Sequence, residues 1–395
     1  MNSQAPRRLL LALHTFGHSY MHVPALLCRA GFPVDAVITS RHPLRGVRGL
    51  SRSYVVDPPE WAATVEERLL SGEYSRFFNV DEPGLAQLYL HSWDPEAAKF
   101  LPYPPGGEVA SNVRSKMAFH EWCQRRGLPF PETRFCSSFQ EACELRSRLT
   151  GAWLIKADAG SGGMNVMRDP SEVDPGDVLE SGIWLVQRDE GNRVGSGIFL
   201  ADHGRVLAWI GIKKIVCLNR GYGPTVLGGG DDSPDVGDLC RRVAEASGVT
   251  GLTGFDFVRG AGGDPLLIDS HLGRMSPMQH FDRLYGVDFS SALLSNMNGS
   301  SPPVQTPVSG PGFVKFPEAV QLVMQGGFAG LLKALDRPMC MPLFPSRDPL
   351  TGFRTIRKIL FSQARVNFGR FRRACSRRVR FPWGPVRGWG VQNPS

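Results

Sequence analysis

The chain has 395 residues, of which 42% are hydrophobic and 21% are charged, values that suit two or three globular domains with sizeable cores. The net charge is +8, but residues 351–395 hold eleven Arg and Lys and no Asp or Glu, so the first 350 residues sum to −3. Because the basicity belongs to the tail, the charge argues against a nucleic-acid footprint over the whole chain.

The eight cysteines are scattered, with no CxxC pair and no Cys/His cluster at zinc spacing. This pattern favours reduced thiols over a disulfide framework or a structural metal. The longest N-terminal apolar run, residues 9–13, is too short for a signal peptide, and no segment approaches a membrane span. We therefore expect a cytoplasmic protein.

The N-terminal part, residues 7–110, shows alternating strand and helix patterns. Strands are predicted at residues 9–13, 34–39, 54–56 and 76–80, and helices at residues 20–29, 59–70 and 83–90. Such alternation predicts a parallel sheet with right-handed crossovers.

The loop after the first strand, residues 14–19, lies at the carboxyl edge where α/β sheets bind ligands. It lacks the GxGxxG spacing, so we expect no dinucleotide site there. His14, His18 and His22 either line a substrate pocket or are surface and capping residues.

A Pro/Gly-rich segment, residues 101–107, marks a boundary. Beyond it, helices are predicted at residues 111–126, which include Lys116, and at 139–149, with strands at 153–156 and 164–167. The loop between these strands is rich in glycine, and such a loop can donate backbone N–H groups to phosphates. It is not a Walker loop, because no GK[ST] follows.

An apolar strand at residues 183–187 leads into four polar residues, Gln187 to Glu190. Further strands are predicted at residues 196–200 and 206–215, followed by a Gly-rich loop at 221–232 and a helix at 236–247. Lys213 and Lys214 end the second of these strands, where a phosphate contact is expected. We expect one of them to face the site and the other to face solvent, and we assign the role to Lys213.

The sequence of residues 253–277 predicts a hairpin of two strands, at 254–258 and 265–269. If the strands pair, Asp256 and Asp269 come out on one face, which is costly unless a cation lies between them. A hard divalent cation with phosphate oxygens suits such ligands. Arg274 follows and can hold a phosphoryl oxygen or a carboxylate. The alternative is an ordinary hairpin with solvated acids.

In this order and at these spacings, the set resembles the ATP-grasp superfamily, whose usual members are ATP-dependent carboxylate–amine ligases. The resemblance covers about residues 112–300, and the preceding α/β unit resembles a pre-ATP-grasp domain. It implies an α/β fold class, α+β in the ATP-grasp part, with two lobes around the nucleotide. We predict domains at residues 1–110 and 111–300, and a C-terminal extension at 301–395.

The resemblance also implies ATP and Mg²⁺ as cofactors. Lys116 and Lys156 would contact the ATP phosphates, with Lys156 also able to reach the adenine edge. The mobile flap over the triphosphate would consist of Gly160, Ser161, Gly162 and Gly163.

At the other end of the nucleotide, Gln187 and the backbone of Arg188 would read adenine, and Asp189 or Glu190 would hold the ribose. Asp256 and Asp269 would ligate one or two Mg²⁺ ions, and Arg274 would stabilise the transferred phosphoryl group or an oxyanion.

His271 departs from the family pattern, in which the second metal carboxylate is a Glu followed two residues later by Asn. Here Asp269 is followed by His271, whose nitrogen suits Mn²⁺ or Zn²⁺ better than Mg²⁺. Three explanations remain open: His271 contacts substrate or lies behind the metal ligands, the metal is Mn²⁺, or catalysis is impaired. We favour the first, because both acids, both lysines and the arginine are present.

The tail interleaves arginine with apolar residues from 354 to 381. Such a basic amphipathic helix lies on an anionic membrane surface or binds an acidic partner or nucleic acid, or else it packs across the ligase domain. We expect no nucleic acid as the protein's partner, and homodimers are common among proteins of this type.

The expected activity is that of an ATP-dependent ligase. It would convert a small carboxylate to an acyl phosphate, which an amine then attacks to give an amide. The alternatives are a kinase acting on a hydroxyl group, and a catalytically weak nucleotide-binding or scaffold protein recruited through its tail.

Overall fold

The N-terminal part of the chain forms a four-stranded parallel sheet in the order β3-β2-β1-β4. Its strands are β1 (Arg8–Leu13), β2 (Val34–Thr39), β3 (Arg52–Val56) and β4 (Tyr74–Asn79). All of β2 and all but the first residue of β1 are buried, as expected for a parallel sheet covered on both faces. The predicted parallel α/β unit is confirmed.

The structure is a computed structural model that describes residues 8–15, 22–40, 49–111, 115–159, 165–170, 182–191, 193–300, 302–324 and 339–340. The predicted flap at residues 160–163 and the basic segment 354–381 lie outside these ranges. No helix in the described ranges combines the length and the apolar character needed to cross a bilayer.

The described helices of this part of the chain are α1 (Val23–Cys28), α2 (Trp61–Leu70), α3 (Glu82–Leu90), α4 (Pro95–Ala98) and α5 (Glu108–Ser111). Helix α2 buries Trp61, Val65 and Leu69, which are spaced four residues apart and so share one helical face. Helix α3 begins directly after β4 and is capped by Asp81, whose carboxylate accepts from the Gly84 amide at 2.8 Å.

A second, antiparallel sheet has the strand order β5-β8-β6-β7 and is called sheet B. It consists of β5 (Thr133–Cys136), β6 (Trp153–Ala157), β7 (Val166–Met167) and β8 (Trp184–Arg188). Helix α6 (Lys116–Arg125) precedes this sheet, and α7 (Phe139–Arg148) packs on it. Sheet B and α7 have a hydrophobic core of their own, which includes Trp153, Ile155 and Trp184.

The largest sheet, sheet C, has the order β13-β12-β9-β10-β11-β14-β15. Its strands are β9 (Val194–Asp202), β10 (Arg205–Cys217), β11 (Thr225–Asp231), β12 (Gly251–Arg259), β13 (Pro265–Ser270), β14 (Gly312–Val314) and β15 (Met339–Cys340). The helices of this part are α8 (Pro234–Ser247), α9 (Phe289–Met297) and α10 (Phe316–Met324). Because β14 pairs with β11, the boundary predicted at residue 300 does not end this sheet.

Sheet C shares its hydrophobic core with the N-terminal sheet. One buried cluster contains Leu11 of β1, Leu27 of α1, Ile210 of β10 and Phe289 of α9. A polar link lies beside it: Arg29 donates to the Asp282 carboxylate at 2.6 Å and to the Ser290 hydroxyl at 3.1 Å. The N-terminal sheet and sheet C are therefore packed as one unit.

Strand β11 occupies the segment predicted as a Gly-rich loop. Its glycines allow aromatic rings to lie directly against the strand. A Cβ at Gly228 would lie 2.5 Å from the Phe313 ring, and one at Gly230 would lie 2.7 Å from Tyr285. The glycines that suggest a loop are thus needed for packing.

Helix α8 offers a test of the same principle, because a Cβ at Gly237 would lie 2.5 Å from the Trp209 ring. Alanine normally stabilises a helix by about 1 kcal/mol relative to glycine. Here the overlap with a buried ring dominates, and we expect Gly237→Ala to lower the free energy of unfolding by about 1–3 kcal/mol. Urea denaturation measures this change. Glu245→Ala, on the exposed face of the same helix, should stay within about 0.5 kcal/mol, and a stabilised Gly237→Ala would refute the packing argument.

Candidate functional site

The β12–β13 hairpin places Asp256 directly opposite Asp269. Phe255 and Phe257 flank Asp256 and are both buried against α8, in a cluster that includes Val243. Because side chains alternate along a strand, Asp256 faces the opposite side, toward the cleft between sheets B and C. The predicted hairpin, with its two acids on one face, is confirmed.

The Asp256 carboxylate is held by two donors. The Ser196 hydroxyl donates to one of its oxygens at 2.6 Å, and the Lys214 ammonium lies 2.6 Å from the other. Burial acts to raise the pKa of Asp256, but the charge of Lys214 and these hydrogen bonds bring it well below its usual range. Asp256 is therefore a carboxylate anion in the cleft.

The structure corrects the choice of lysine on β10. Lys213 has 56% of its side chain exposed, and its ammonium lies 3.9 Å from Asp231. Lys214, one residue later, is nearly buried and faces Asp256. The prediction that only one of the two faces the cleft is right, but the assignment to Lys213 is wrong, because the register of β10 directs the neighbouring side chain inward.

Asp256, Asp269 and His271 bring one potential metal-ligand atom each to within 4.8 Å of one another, and they form the one such group in the described ranges. Burial lowers the pKa of His271 to about 4, so its ring is neutral and able to bind a metal. Its Nδ1 is buried and has no hydrogen-bond partner among the described residues. Two carboxylates and one imidazole fit a divalent cation, with more affinity for Mn²⁺ or Zn²⁺ than an all-oxygen set has.

Sheet B contributes Lys156, the last residue but one of β6. Its ammonium donates to the Gln187 side-chain oxygen, and the Gln187 amide in turn donates to the Thr133 hydroxyl at 3.0 Å. Burial lowers the pKa of Lys156 to about 8, although Asp269 acts to raise it. The Gln187 side chain thus orients Lys156, and both polar ends of its amide are already engaged.

Lys116 opens helix α6 and lies beside Asp158, which follows β6. Its ammonium donates to the Asp158 carbonyl at 3.2 Å. The Asp158 carboxylate accepts from the Met117 amide at 2.8 Å and from the Ser115 hydroxyl at 3.1 Å. These bonds fix the start of α6 against the end of β6, so Lys116 and Lys156 line the same cleft.

The two acids that follow β8 differ in whether their carboxylates are already engaged. Asp189 pairs with Arg168 at 2.6 Å and accepts from the Gly191 amide, so both of its oxygens are engaged. Glu190 lines the cleft with 15% of its side chain exposed, and its oxygen lies 3.9 Å from Arg188. The Arg188 amide donates to the Glu132 carbonyl at 2.8 Å.

The cleft lies between sheets B and C. Its volume is about 900 Å³, and part of this volume is open to solvent. Apolar side chains from both sheets line it, namely Leu154, Val194, Val258 and Ile268, together with Tyr222. Charged residues line it as well, among them Lys116, Lys156, Lys214, Asp256 and Asp269. A ligand with a flat apolar ring and a phosphate chain would use both kinds of lining residue.

Glu82, a residue that sequence reasoning missed, connects the N-terminal part to the site. Its carboxylate, at the start of α3, lies 3.3 Å from Arg274, which follows the hairpin and is nearly buried. No local pattern around Glu82 indicates this contact, because it depends on how the N-terminal sheet packs on sheet C. His14 and His22 also belong to this part, and His22 stacks on His280 with 3.8 Å between the ring centroids.

The sequence matches no protein-family model and no curated protein. Solved structures are similar over most of the chain. An L-amino acid ligase from Bacillus licheniformis superposes with a TM-score of 0.56 at 15% identity, covering 78% of this chain and 80% of that chain. Phosphoribosylamine–glycine ligase from Thermotoga maritima gives 0.57 at 13% identity, with 78% and 79% covered.

A third similar structure is the biotin carboxylase domain of 2-oxoglutarate carboxylase from Hydrogenobacter thermophilus. It gives a TM-score of 0.58 at 16% identity and covers 78% of this chain and 74% of that chain. At such identities the likeness concerns the fold. The chain shares its fold with these three proteins, and the similarity covers 78% of its length.

Proposed function

We propose that the protein is an ATP-dependent ligase that joins a small carboxylate to an amine. The observation that carries the proposal is the convergence of Lys116, Lys156 and a carboxylate–imidazole cluster on a single cleft. Phosphoryl transfer requires this kind of positioning and charge neutralisation more than covalent help from the protein. Two of the similar structures are named as ligases of an L-amino acid and of glycine.

ATP would lie between the lobes, with adenine against Leu154, Val194 and Val258 and with the ribose near Glu190. We assign the ribose to Glu190 rather than Asp189, because Arg168 and the Gly191 amide already engage Asp189. Adenine recognition by Gln187 and Arg188 stays a prediction, and the Lys156–Gln187 bond makes an indirect role for Gln187 more natural.

Lys116 and Lys156 would hold the phosphate chain, as the resemblance implies. Asp256, Asp269 and His271 would hold the divalent cation, which when bound supplies positive charge to the phosphate oxygens. Lys214 keeps Asp256 ionised and adds a further positive charge on the same side of the cleft. One of the similar structures was solved with MgADP, which supports this cofactor pair.

In the proposed reaction, a substrate carboxylate oxygen attacks the γ-phosphorus, and the bond to ADP breaks. The resulting acyl phosphate is held near Arg274, whose guanidinium can bind its oxygens bidentately. An amine then attacks the carbonyl carbon, and inorganic phosphate leaves. The enzyme would have to exclude water from the cleft, because water would otherwise hydrolyse the intermediate.

We expect ADP release from ATP only when a carboxylate and an amine are both present. The assay tests pools of the standard amino acids and of small carboxylic acids as substrates, in the presence of Mg²⁺ or Mn²⁺. Asp269→Asn should abolish this release because it removes a cation ligand. Asp264→Asn, the same substitution in the turn of the same hairpin, should leave it unchanged.

Other outcomes of this assay would identify the alternatives. ADP formed with a single hydroxyl compound, and no hydroxamate when hydroxylamine is added, would indicate a kinase. ADP binding without turnover in any pool would favour a nucleotide-binding protein recruited through its basic tail.

The affinity for ADP should fall as the pH rises through 8. Free Lys156 loses its proton near this pH, whereas bound phosphates favour its charged form, so binding above pH 8 requires proton uptake. We expect about tenfold weaker binding at about pH 9 than at about pH 7, measured by calorimetry. Lys156→Met should bind ADP weakly with little dependence on pH over this range; an unchanged slope in this variant would assign the effect to another group.

His271→Asn should shift the metal preference toward Mg²⁺, because an amide oxygen replaces an imidazole nitrogen. We expect the ratio of Mn²⁺ to Mg²⁺ affinity, measured in the presence of ADP, to fall by about tenfold. His203→Asn, at a histidine with 80% of its side chain exposed, is the matched control. An unchanged ratio in His271→Asn would mean that His271 is not a metal ligand.

A further inference from the structure

Glu82 is held at the edge of the site by the architecture of the N-terminal sheet. It follows β4 and opens α3, and the preceding Asp81 is fixed by four hydrogen bonds. The Asp81 carboxylate accepts from the amides of His14 and Gly84, both at 2.8 Å, from the Thr15 amide at 3.3 Å and from the Thr15 hydroxyl at 3.0 Å. Glu82 therefore projects from the carboxyl edge of a parallel sheet, where ligands of such sheets bind.

The Glu82 side chain connects the N-terminal part to the segment that follows the β12–β13 hairpin. Its oxygen lies 3.3 Å from the Arg274 guanidinium, and 33% of the side chain remains exposed. Asp269 and Lys116 are its other charged neighbours, together with the adjacent Asp81. Burial raises the pKa of Glu82, and Arg274 acts in the opposite direction. The carboxylate is thus both anchored and accessible.

The carboxylates that line the cleft between sheets B and C are committed elsewhere. Asp256 and Asp269 belong to the cation cluster, and Asp189 is paired with Arg168. Glu190 lines the cleft just after β8 and is assigned to the ribose. Glu82 is the acid that faces Arg274, where the acyl phosphate is expected.

An amine substrate creates a chemical requirement that Glu82 can meet. A primary amine is mostly protonated at neutral pH and has no lone pair to attack with until a proton is removed. An acid placed beside the acyl phosphate can bind the ammonium group and take that proton. Of the other charged neighbours of Glu82, Lys116 is cationic, Asp269 belongs to the cation cluster, and the Asp81 carboxylate is engaged by four hydrogen bonds.

We propose that Glu82 binds the ammonium group of the second substrate and removes its proton. This inference rests on the proposed ligase function. The ammonium proton passes to the Glu82 carboxylate, and the freed nitrogen lone pair forms a bond to the acyl carbon. The carbon–oxygen bond to phosphate then breaks, and the second nitrogen proton leaves with the phosphate. The preferred second substrate is therefore a cationic primary amine.

Hydroxylamine separates this role from a structural one, because it is largely unprotonated at neutral pH and needs no base. The experiment compares wild-type protein with Glu82→Gln, using as carboxylate source the amino acid pool that supports ADP release. We expect kcat/KM for amines to fall by about 100-fold in Glu82→Gln, but the rate of hydroxamate formation to fall by no more than about threefold. The amine reaction of the variant should recover as the pH rises toward the amine pKa.

Two further variants calibrate the result. Glu82→Asp keeps the carboxylate and should restore part of the amine reaction. Glu96→Gln, the same substitution at an exposed glutamate of α4 that pairs with Lys99, should match wild type with both nucleophiles. ADP affinity, measured on each variant, verifies that the nucleotide site is intact.

The outcomes are distinct. Equal losses with amines and hydroxylamine would mean that Glu82 only positions Arg274, and no loss with either would mean that it has no role in acceptor use. Either result would overturn the inference while leaving the ligase function in place. If wild-type protein forms no hydroxamate from any carboxylate, the proposed ligase function itself fails.

Discussion

The site depends on two carboxylates that face each other across one pair of strands. Asp256 and Asp269 are partners in the β12–β13 register, and two like charges at this distance must be compensated. Lys214 and Ser196 supply part of that compensation, and the third member of the cluster, His271, is a neutral ring. The remaining deficit of positive charge is what a divalent cation with its nucleotide would fill. The positions of the surrounding polar side chains follow from the need to offset this repulsion.

Much of this arrangement was predictable because its signals are local. The local signals are the alternation of apolar and polar side chains around Asp256, the apolar run that ends at Asp269, and the lysine at the end of β6. Each lies within one or two elements, and the structure places these residues as predicted. The ATP-grasp resemblance depends on the order of such local signals. The parallel N-terminal sheet was predictable for the same reason, since its buried strands read as apolar runs.

The errors arise where the outcome depends on packing between distant segments. Lys213 and Lys214 are adjacent and chemically identical, so only the register of β10 decides which one enters the cleft. Strand β11 reads as a loop because its glycines make room for Phe313 and Tyr285, which come much later in the chain. Glu82 carries no motif, and the role proposed for it depends on its contact with Arg274. These features can be recognised only when the distant segments are packed together in the hydrophobic cores.

The distribution of those cores has a mechanical consequence. The N-terminal sheet and sheet C share one hydrophobic cluster and the Arg29–Asp282 link, whereas sheet B is stabilised by a separate cluster of its own. Parts that share a core resist relative motion, and parts with independent cores can rotate as rigid bodies. Any opening or closing of the cleft would therefore be expected to move sheet B, which carries Lys156. Arg274, Glu82 and the acidic pair would keep their positions relative to one another, so in the proposed ligase nucleotide exchange need not disturb the geometry around the two other substrates.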